Sequence, residues 1–219
     1  PAFKEKGDPA MIALKHVRKT FGREEVLRDV SANFGRGMIH GLVGRNGSGK
    51  TVLLKLIAGL MAPDGGVIRV NGKRIGVDIE MPPRLGAILE TPGFLPNYSG
   101  YRNLKFLADI RGKIGKEDIY LAMDRVGLDP KSPKWVSRYS LGMRQRLGIA
   151  QAIMEDPDLI ILDEPMNGLD DAAVRHMRRL FLDLCDEGRT ILLASHNPLD
   201  IRKLCDTVSH MDRGELTPM

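Results

Sequence analysis

The chain has 219 residues, 42% of them hydrophobic and 28% charged, with a formal net charge of +5. That is the size and composition of one globular α/β domain with room for a small inserted lobe. Basic residues such as Arg175, Arg178, Arg179, Arg202 and Lys203 are spread along the chain, which argues against a nucleic-acid-binding arm, and no run approaches the ~18 apolar residues of a membrane span.

Pro1 to Ala10 shows no signal peptide and reads as a disordered leader, residues 1–10. Met11–Val17 and Glu25–Phe34 read as strands with a turn at Phe21–Gly22. Met38–Val43 is a short apolar run suited to a buried strand, and it leads into Gly44-Arg45-Asn46-Gly47-Ser48-Gly49-Lys50-Thr51. Leu53, Leu54, Ile57 and Leu60 then recur at helical spacing over Lys50–Leu60, with Gly59 and Pro63 as stop signals. Val67–Val70 and Leu85–Leu89 read as further strands. From Thr91 the pattern changes to prolines and helical periodicity at Gly100–Arg111 and Lys116–Val126. This is a helical lobe, 91–145, inserted between core segments 11–90 and 146–219. A helix at Ser140–Glu155, a strand at Leu159–Leu162, a helix at Asp171–Glu187, a strand at Thr190–Ala194, a short helix and a last strand at Thr207–Met211 complete the pattern. Alternating strands and helices predict a mainly parallel sheet covered on both faces. Cys185 and Cys205 fall on apparent apolar helix faces and read as a reduced, buried pair.

Gly44 to Thr51 fits G-x-x-x-x-G-K-[ST] between a strand and a helix, the context in which such a loop cradles phosphates. Its glycines let main-chain N–H groups turn inward around an anion, and the start of the helix adds a favourable dipole. Lys50 would reach the β- and γ-phosphates and Thr51 would place its hydroxyl on Mg²⁺. Leu159-Ile160-Ile161-Leu162-Asp163-Glu164 is a buried strand ending in two acids. Such a strand delivers carboxylates to the carboxyl edge of the sheet, where ligands bind in open α/β folds. Asp163 would hold Mg²⁺, directly or through water, and Glu164, pointing another way, would polarise the attacking water. A glycine-rich turn and a solvated strand end are the plainer alternatives.

Tyr139-Ser140-Leu141-Gly142-Met143-Arg144-Gln145-Arg146 resembles the signature motif of the ABC ATPases. Asn167-Gly168-Leu169-Asp170 resembles their D-loop, and Ser195-His196 after a strand resembles their switch histidine. The resemblance spans about Phe21 to Leu216. It implies a P-loop NTPase fold of ABC type, with an antiparallel β part and the helical lobe beside a mainly parallel core. It also implies ATP as ligand with Mg²⁺, and ATP hydrolysis with Lys50, Glu164 and His196 in catalytic roles. The nucleotide would be bound by residues 44–52, from Gly44 and Arg45 through Asn46, Gly47, Ser48, Gly49, Lys50 and Thr51 to Val52. Glu90 would join them, with Asp163, Thr51 and Glu90 toward the metal. Two domains would pair head to tail, Ser140 and Gly142 of one facing the nucleotide of the other and Asp170 aligning the contact. Phe21 would stack on adenine, although a plain core aromatic is a rival reading there.

The chain departs from the common pattern at Leu141, Met143, Glu90 and Met166, where the family usually has glycine, glutamine, glutamine and threonine or serine. The stretch from Glu90 to Asn97 together with the signature resembles the bacitracin- and lantibiotic-export subgroup of bacterial ABC ATPases. Glu90 adds a negative charge beside Asp163 and Glu164, which is expected to raise one carboxylate pKa or tighten the demand for Mg²⁺; a solvated strand end is the other reading. The implied partners are a separate transmembrane permease subunit and a second ATPase subunit, taken as a second copy, with no nucleic acid. The implied place is cytoplasmic, on the inner face of the membrane. Phe94, Leu95 and Tyr98 would either line a groove for a permease helix or form the lobe's own core. The alternative function is a soluble ABC ATPase acting on nucleic acid or the ribosome, which usually carries a second motor domain or long coils.

Overall fold

The computed structural model describes residues 10–90 and 93–219. The expected leader, apart from Ala10, and Thr91 and Pro92 of the expected lobe lie outside the described residues. The organising element is a six-stranded sheet in the order β10-β9-β3-β8-β7-β6. It is built from β3 (Ile39–Val43), β6 (Leu85–Ile88), β7 (Leu159–Asp163), β8 (Thr190–Ala194), β9 (Thr207–Asp212) and β10 (Glu215–Pro218). The five strands from β9 to β6 pair in parallel and β10 is antiparallel to β9. A second, antiparallel sheet runs β2-β1-β4-β5. Its strands are β1 (Ile12–Phe21), β2 (Glu24–Phe34), β4 (Gly65–Val70) and β5 (Lys73–Arg74).

The continuous apolar runs of β7 and β8 follow from their having no wet face. Successive side chains on a strand point to opposite sides, and here both sides are core. Ile160, Leu162, Ile191 and Leu193 face a helical cluster with Leu147, Phe181 and Leu184. Leu159, Ile161, Leu192 and Ala194 face a second cluster with Leu53, Ile57, Leu27 and Ile68, beneath the antiparallel sheet. At about 1.5–3 kcal/mol for each fully buried aliphatic side chain, these two layers fix the position of every strand end at the carboxyl edge.

The helices are α1 (Lys50–Ile57), α2 (Gly100–Arg111), α3 (Lys116–Arg125), α4 (Leu141–Ile153), α5 (Asp171–Asp186) and α6 (Pro198–Leu204). Four start on side-chain caps. The side-chain oxygens of Ser99, Ser140, Asp170 and Asn197 accept from the main-chain N–H of Arg102, Met143, Ala173 and Leu199. Each such cap is worth about 1 kcal/mol. Helix α4 runs unbroken through residues 145 and 146 and lies directly on β6: a Cβ on Gly86 would sit 1.8 Å from Ala152 O. The end of α3 is tied down by Arg146, which donates to Gly127 O at 2.8 Å, and by His176 Nε2, which donates to Arg125 O at 2.8 Å.

Four expectations are corrected. β1 continues to Phe21 rather than ending at Val17, because it stays paired with β2 up to the turn. α1 ends at Ile57, before Leu60, where Gly59 turns away at φ +78°. The chain does not end its pattern at Met211: β10 folds back on β9 through Arg213 and Gly214, both at positive φ. Cys185 and Cys205 are free and only partly buried, and Cys205 caps α6 rather than lying on its face. Burial pushes the Cys205 thiol up to about 12.

One buried ion pair joins α5 to α6. Arg178 donates to Asp200 Oδ1 through Nε at 2.7 Å and Nη2 at 2.5 Å, and Asp200 is 1% exposed. Removing one partner strands a buried charge, whereas replacing both with apolar groups does not. Asp200→Ala is therefore expected to lower the unfolding free energy by about 3 kcal/mol in urea titrations. Arg178→Met with Asp200→Leu should lose much less.

Candidate functional site: a phosphate loop facing two strand-end acids

Strand β3 is buried from Ile39 to Leu42 and stops at half-buried Val43, so the next residues emerge at the sheet's carboxyl edge. The loop from Gly44 curls over and re-enters as α1. The residue before the helix, Gly49, sits at φ +108°, where an L side chain is strained, and a Cβ there would lie 2.9 Å from Leu27 Cδ2. Lys50 is 6% exposed, and its ammonium donates to Gly44 O at 2.7 Å and Arg45 O at 3.0 Å. The lysine thus closes the loop on itself. Ser48 is also buried, and its Oγ has no hydrogen-bond partner among the described residues. A buried hydroxyl left unpaired costs roughly 1–3 kcal/mol, which an incoming oxyanion would relieve.

The second half of the site comes from β7, two strands from β3. Thr51 Oγ1 donates to Asp163 Oδ2 at 2.5 Å. Burial, and then the neighbouring charge of Glu164, raise the Asp163 carboxyl above its usual range, opposed by that hydrogen bond and by Lys50 and Lys55. Glu164 breaks the strand's alternation because its backbone is left-handed, at φ +49°, a conformation costing a non-glycine residue roughly 1–2 kcal/mol. Its N–H still bonds Ala194 O at 2.9 Å, so the residue is held while its side chain swings into the cleft. Its Oε2 meets His196 Nδ1 at 2.8 Å, and Oε1 is buried with no hydrogen-bond partner among the described residues. Strain and an unsatisfied oxygen at one carboxylate are features of functional rather than structural positions.

Together these residues line a cleft of about 580 Å³ that includes Lys50, Thr51, Glu90, Asp163 and Glu164. Asn46, Gly47, Gly49 and Val52 line it as well. Gly44 and Arg45 instead line the neighbouring depression by His196. Phe21, Ser140, Gly142 and Asp170 do not line the cleft. Phe21 is half-exposed, with the Lys19 ammonium 5.4 Å from its ring centroid. Ser140 and Asp170 are exposed and cap their own helices, and Leu141 packs over Gly168.

Residues 27–167 match the ABC transporter family. The chain belongs to that family. An ABC transporter ATP-binding protein of Bacillus subtilis (strain 168) is 41% identical over 206 residues, with 94% of each chain covered. The bacitracin transport ATP-binding protein BcrA of Enterococcus faecalis is 40% identical over 208 residues, covering 94% of this chain and 68% of that one. In fold, a dimeric ATP-binding cassette solved with ADP and Pi superposes with a TM-score of 0.86, covering 95% of this chain and 98% of the other at 20% identity. This ABC cassette is an ATP-binding subunit and an ATPase.

Several residues of the cassette's cleft were not among the expected site residues. Gln145 lines the cleft and donates to Pro165 O at 3.1 Å, tying α4 to the loop after Glu164. Glu24 and Val26, from β2, form part of the cleft wall. Lys55 forms an ion pair with Glu90, and that pairing corrects an expectation. Hydrogen bonding and charge from Lys55 hold the Glu90 carboxyl below its usual range. The like charge felt by Asp163 is that of Glu164, not Glu90. Phe94 packs against the core, while Leu95 and Tyr98 are exposed.

The raised Asp163 carboxyl makes a signed prediction. Because its folded value lies above the unfolded one, the folded chain holds the proton longer, and stability falls as pH rises from the ordinary aspartate value through the raised one. Asp163→Asn is expected to raise the melting temperature measured without nucleotide at neutral pH and to flatten that pH dependence. Calorimetric scans from pH 4 to 7 check both.

Proposed function

We propose that this cassette hydrolyses Mg·ATP at a site completed by a second copy and uses the closure to drive a separate membrane permease. The observation that carries the reading is a division of parts. Within one chain the phosphate loop, Asp163 and Glu164 share a cleft, while Ser140, exposed, and Gly142, half-buried, sit outside it. The first main-chain N–H groups of a helix lack intrahelical partners and favour anions, so the start of α4 is suited to a phosphate that its own cleft does not present. Head-to-tail pairing supplies one. Asp170, exposed at the start of α5, would align the contact, and Phe21 would stack on adenine with its open face.

Thr51 and Asp163 suit Mg²⁺, which is commonly held by one or two protein oxygens together with substrate phosphates. The metal would neutralise charge building on the β- and γ-oxygens. Lys50 would leave Gly44 O and Arg45 O for those phosphates. Glu164 would accept a proton from the water attacking phosphorus as the bond to the ADP oxygen breaks. His196, already on Glu164, would steady that carboxylate and meet the γ-phosphate. Glu90 would present a further oxygen toward the metal. The subunit would act at the cytoplasmic face, and the bacitracin relative supports export of a peptide antibiotic or similar amphipathic compound. No helix among the described residues is long and apolar enough to cross a membrane, so the reading requires a permease partner. Residues 91–145 would be the lobe that meets it.

Glu164→Gln is expected to keep ATP binding, to lose turnover roughly 100-fold or more, and to form an ATP-stabilised dimer on size exclusion; normal phosphate release would contradict the assignment. Lys50→Ala should mainly weaken nucleotide binding. Ser140→Arg should leave the affinity of the single chain intact and abolish ATP-driven dimerisation. Co-purification of a polytopic membrane protein supports the transport role, whereas co-purification of RNA favours the ribosomal alternative.

A further inference from the structure

The cleft is unusually acidic for a site that must admit a polyanion. Glu24, Glu90, Asp163 and Glu164 line it, and among the described residues Lys50 is the one lysine or arginine in the lining. Lys55 does not line the cleft, although its partner Glu90 does. It lies four residues after Thr51 on α1, hence on the same helical face. Its side chain is 26% exposed, and its ammonium is hydrogen-bonded to Glu90 Oε1. Glu90 itself is 72% exposed at the side chain and follows the buried pair Ile88 and Leu89. Packing thus fixes where the glutamate leaves the core, while its carboxylate is steered by one cation. The charge on Lys55 also reaches Asp163.

We propose that Lys55 is a positioning residue that offsets the charge of Glu90 and holds its carboxylate at the cleft wall, allowing a glutamate to stand where the family usually has a neutral glutamine. The proposal rests on the reading of the cleft as a nucleotide site. In water an exposed Lys–Glu pair contributes little to stability. Its importance here is to binding: without Lys55, an uncompensated carboxylate faces a triphosphate across a few ångströms of partly excluded solvent. At an effective dielectric constant near 40, one unit charge about 7 Å from a phosphate charge changes affinity roughly tenfold.

The test is direct binding of a fluorescent ATP analogue, with EDTA and then with Mg²⁺, together with urea denaturation of each protein. Lys55→Met is expected to weaken binding about tenfold with little change in unfolding midpoint. Lys55→Arg should bind like the parent. Adding Glu90→Gln to Lys55→Met should restore binding to within about threefold, because it removes the charge that Lys55 had offset. Glu90→Gln alone should bind at least as tightly as the parent in EDTA. Parent-like binding by Lys55→Met, equal weakness of Lys55→Met and the double variant, or weaker binding by Glu90→Gln alone in EDTA would each overturn the proposal. Failure of the parent itself to bind the analogue would instead overturn the nucleotide reading of the cleft.

Discussion

The hydrogen bond from Thr51 to Asp163 joins two parts of the chain that are 112 residues apart and that do nothing separately. One is a glycine-rich loop that offers main-chain donors to phosphate. The other is a strand end that offers carboxylates. Their meeting depends on β3 and β7 flanking β8 in one parallel sheet, in a register that brings Leu42 and Asp163 both opposite Ala194. Since both faces of that sheet are buried, a slip of one residue would exchange the inward side chains of two cores at once. Packing energy spent on plain aliphatic residues is thus what holds the polar site in place.

Much of this was readable from residue order. The loop from Gly44 to Thr51 follows an apolar run and precedes helical spacing, so its place at a strand-to-helix turn was implied. Leu159–Leu162 could be read as buried because four apolar residues in a row suit a strand with no solvent face. The helix starts at Ser140 and Asp170 carried ordinary capping residues. β10 escaped because its four residues include a proline and little hydrophobicity; the Arg213-Gly214 turn before it was the available signal. Lys55 escaped for another reason. On α1 it resembles any solvated lysine, and its partner is 35 residues away on a different element. Pairings of that kind exist only after folding.

The electrostatics of the site follow the same logic of place over identity. Glu90, Asp163 and Glu164 are three carboxylates in one cleft, yet their surroundings differ. Lys55 favours the ionised form of Glu90, while burial disfavours it at Asp163. Glu164 is distinguished by backbone strain and by a buried oxygen with no partner among the described residues. Sequence counted three like charges; the fold separates them into a paired acid, a desolvated acid and a strained one. That separation lets neighbouring acids take different parts in one reaction.

The seating of α4 on β6 has a mechanical consequence. Ala152 leaves no room for a side chain at Gly86, so helix and strand are in backbone contact and neither shifts without carrying the other. The free end of that helix is Ser140, which is exposed, while β6 ends at Ile88, two residues before Glu90 beside the chain's own cleft. In the proposed pair, a displacement at Ser140 would pass to β6 through this contact. In a closed pair, each occupied pocket would bear on the far one through this strut, and filling the two would be felt as a single event.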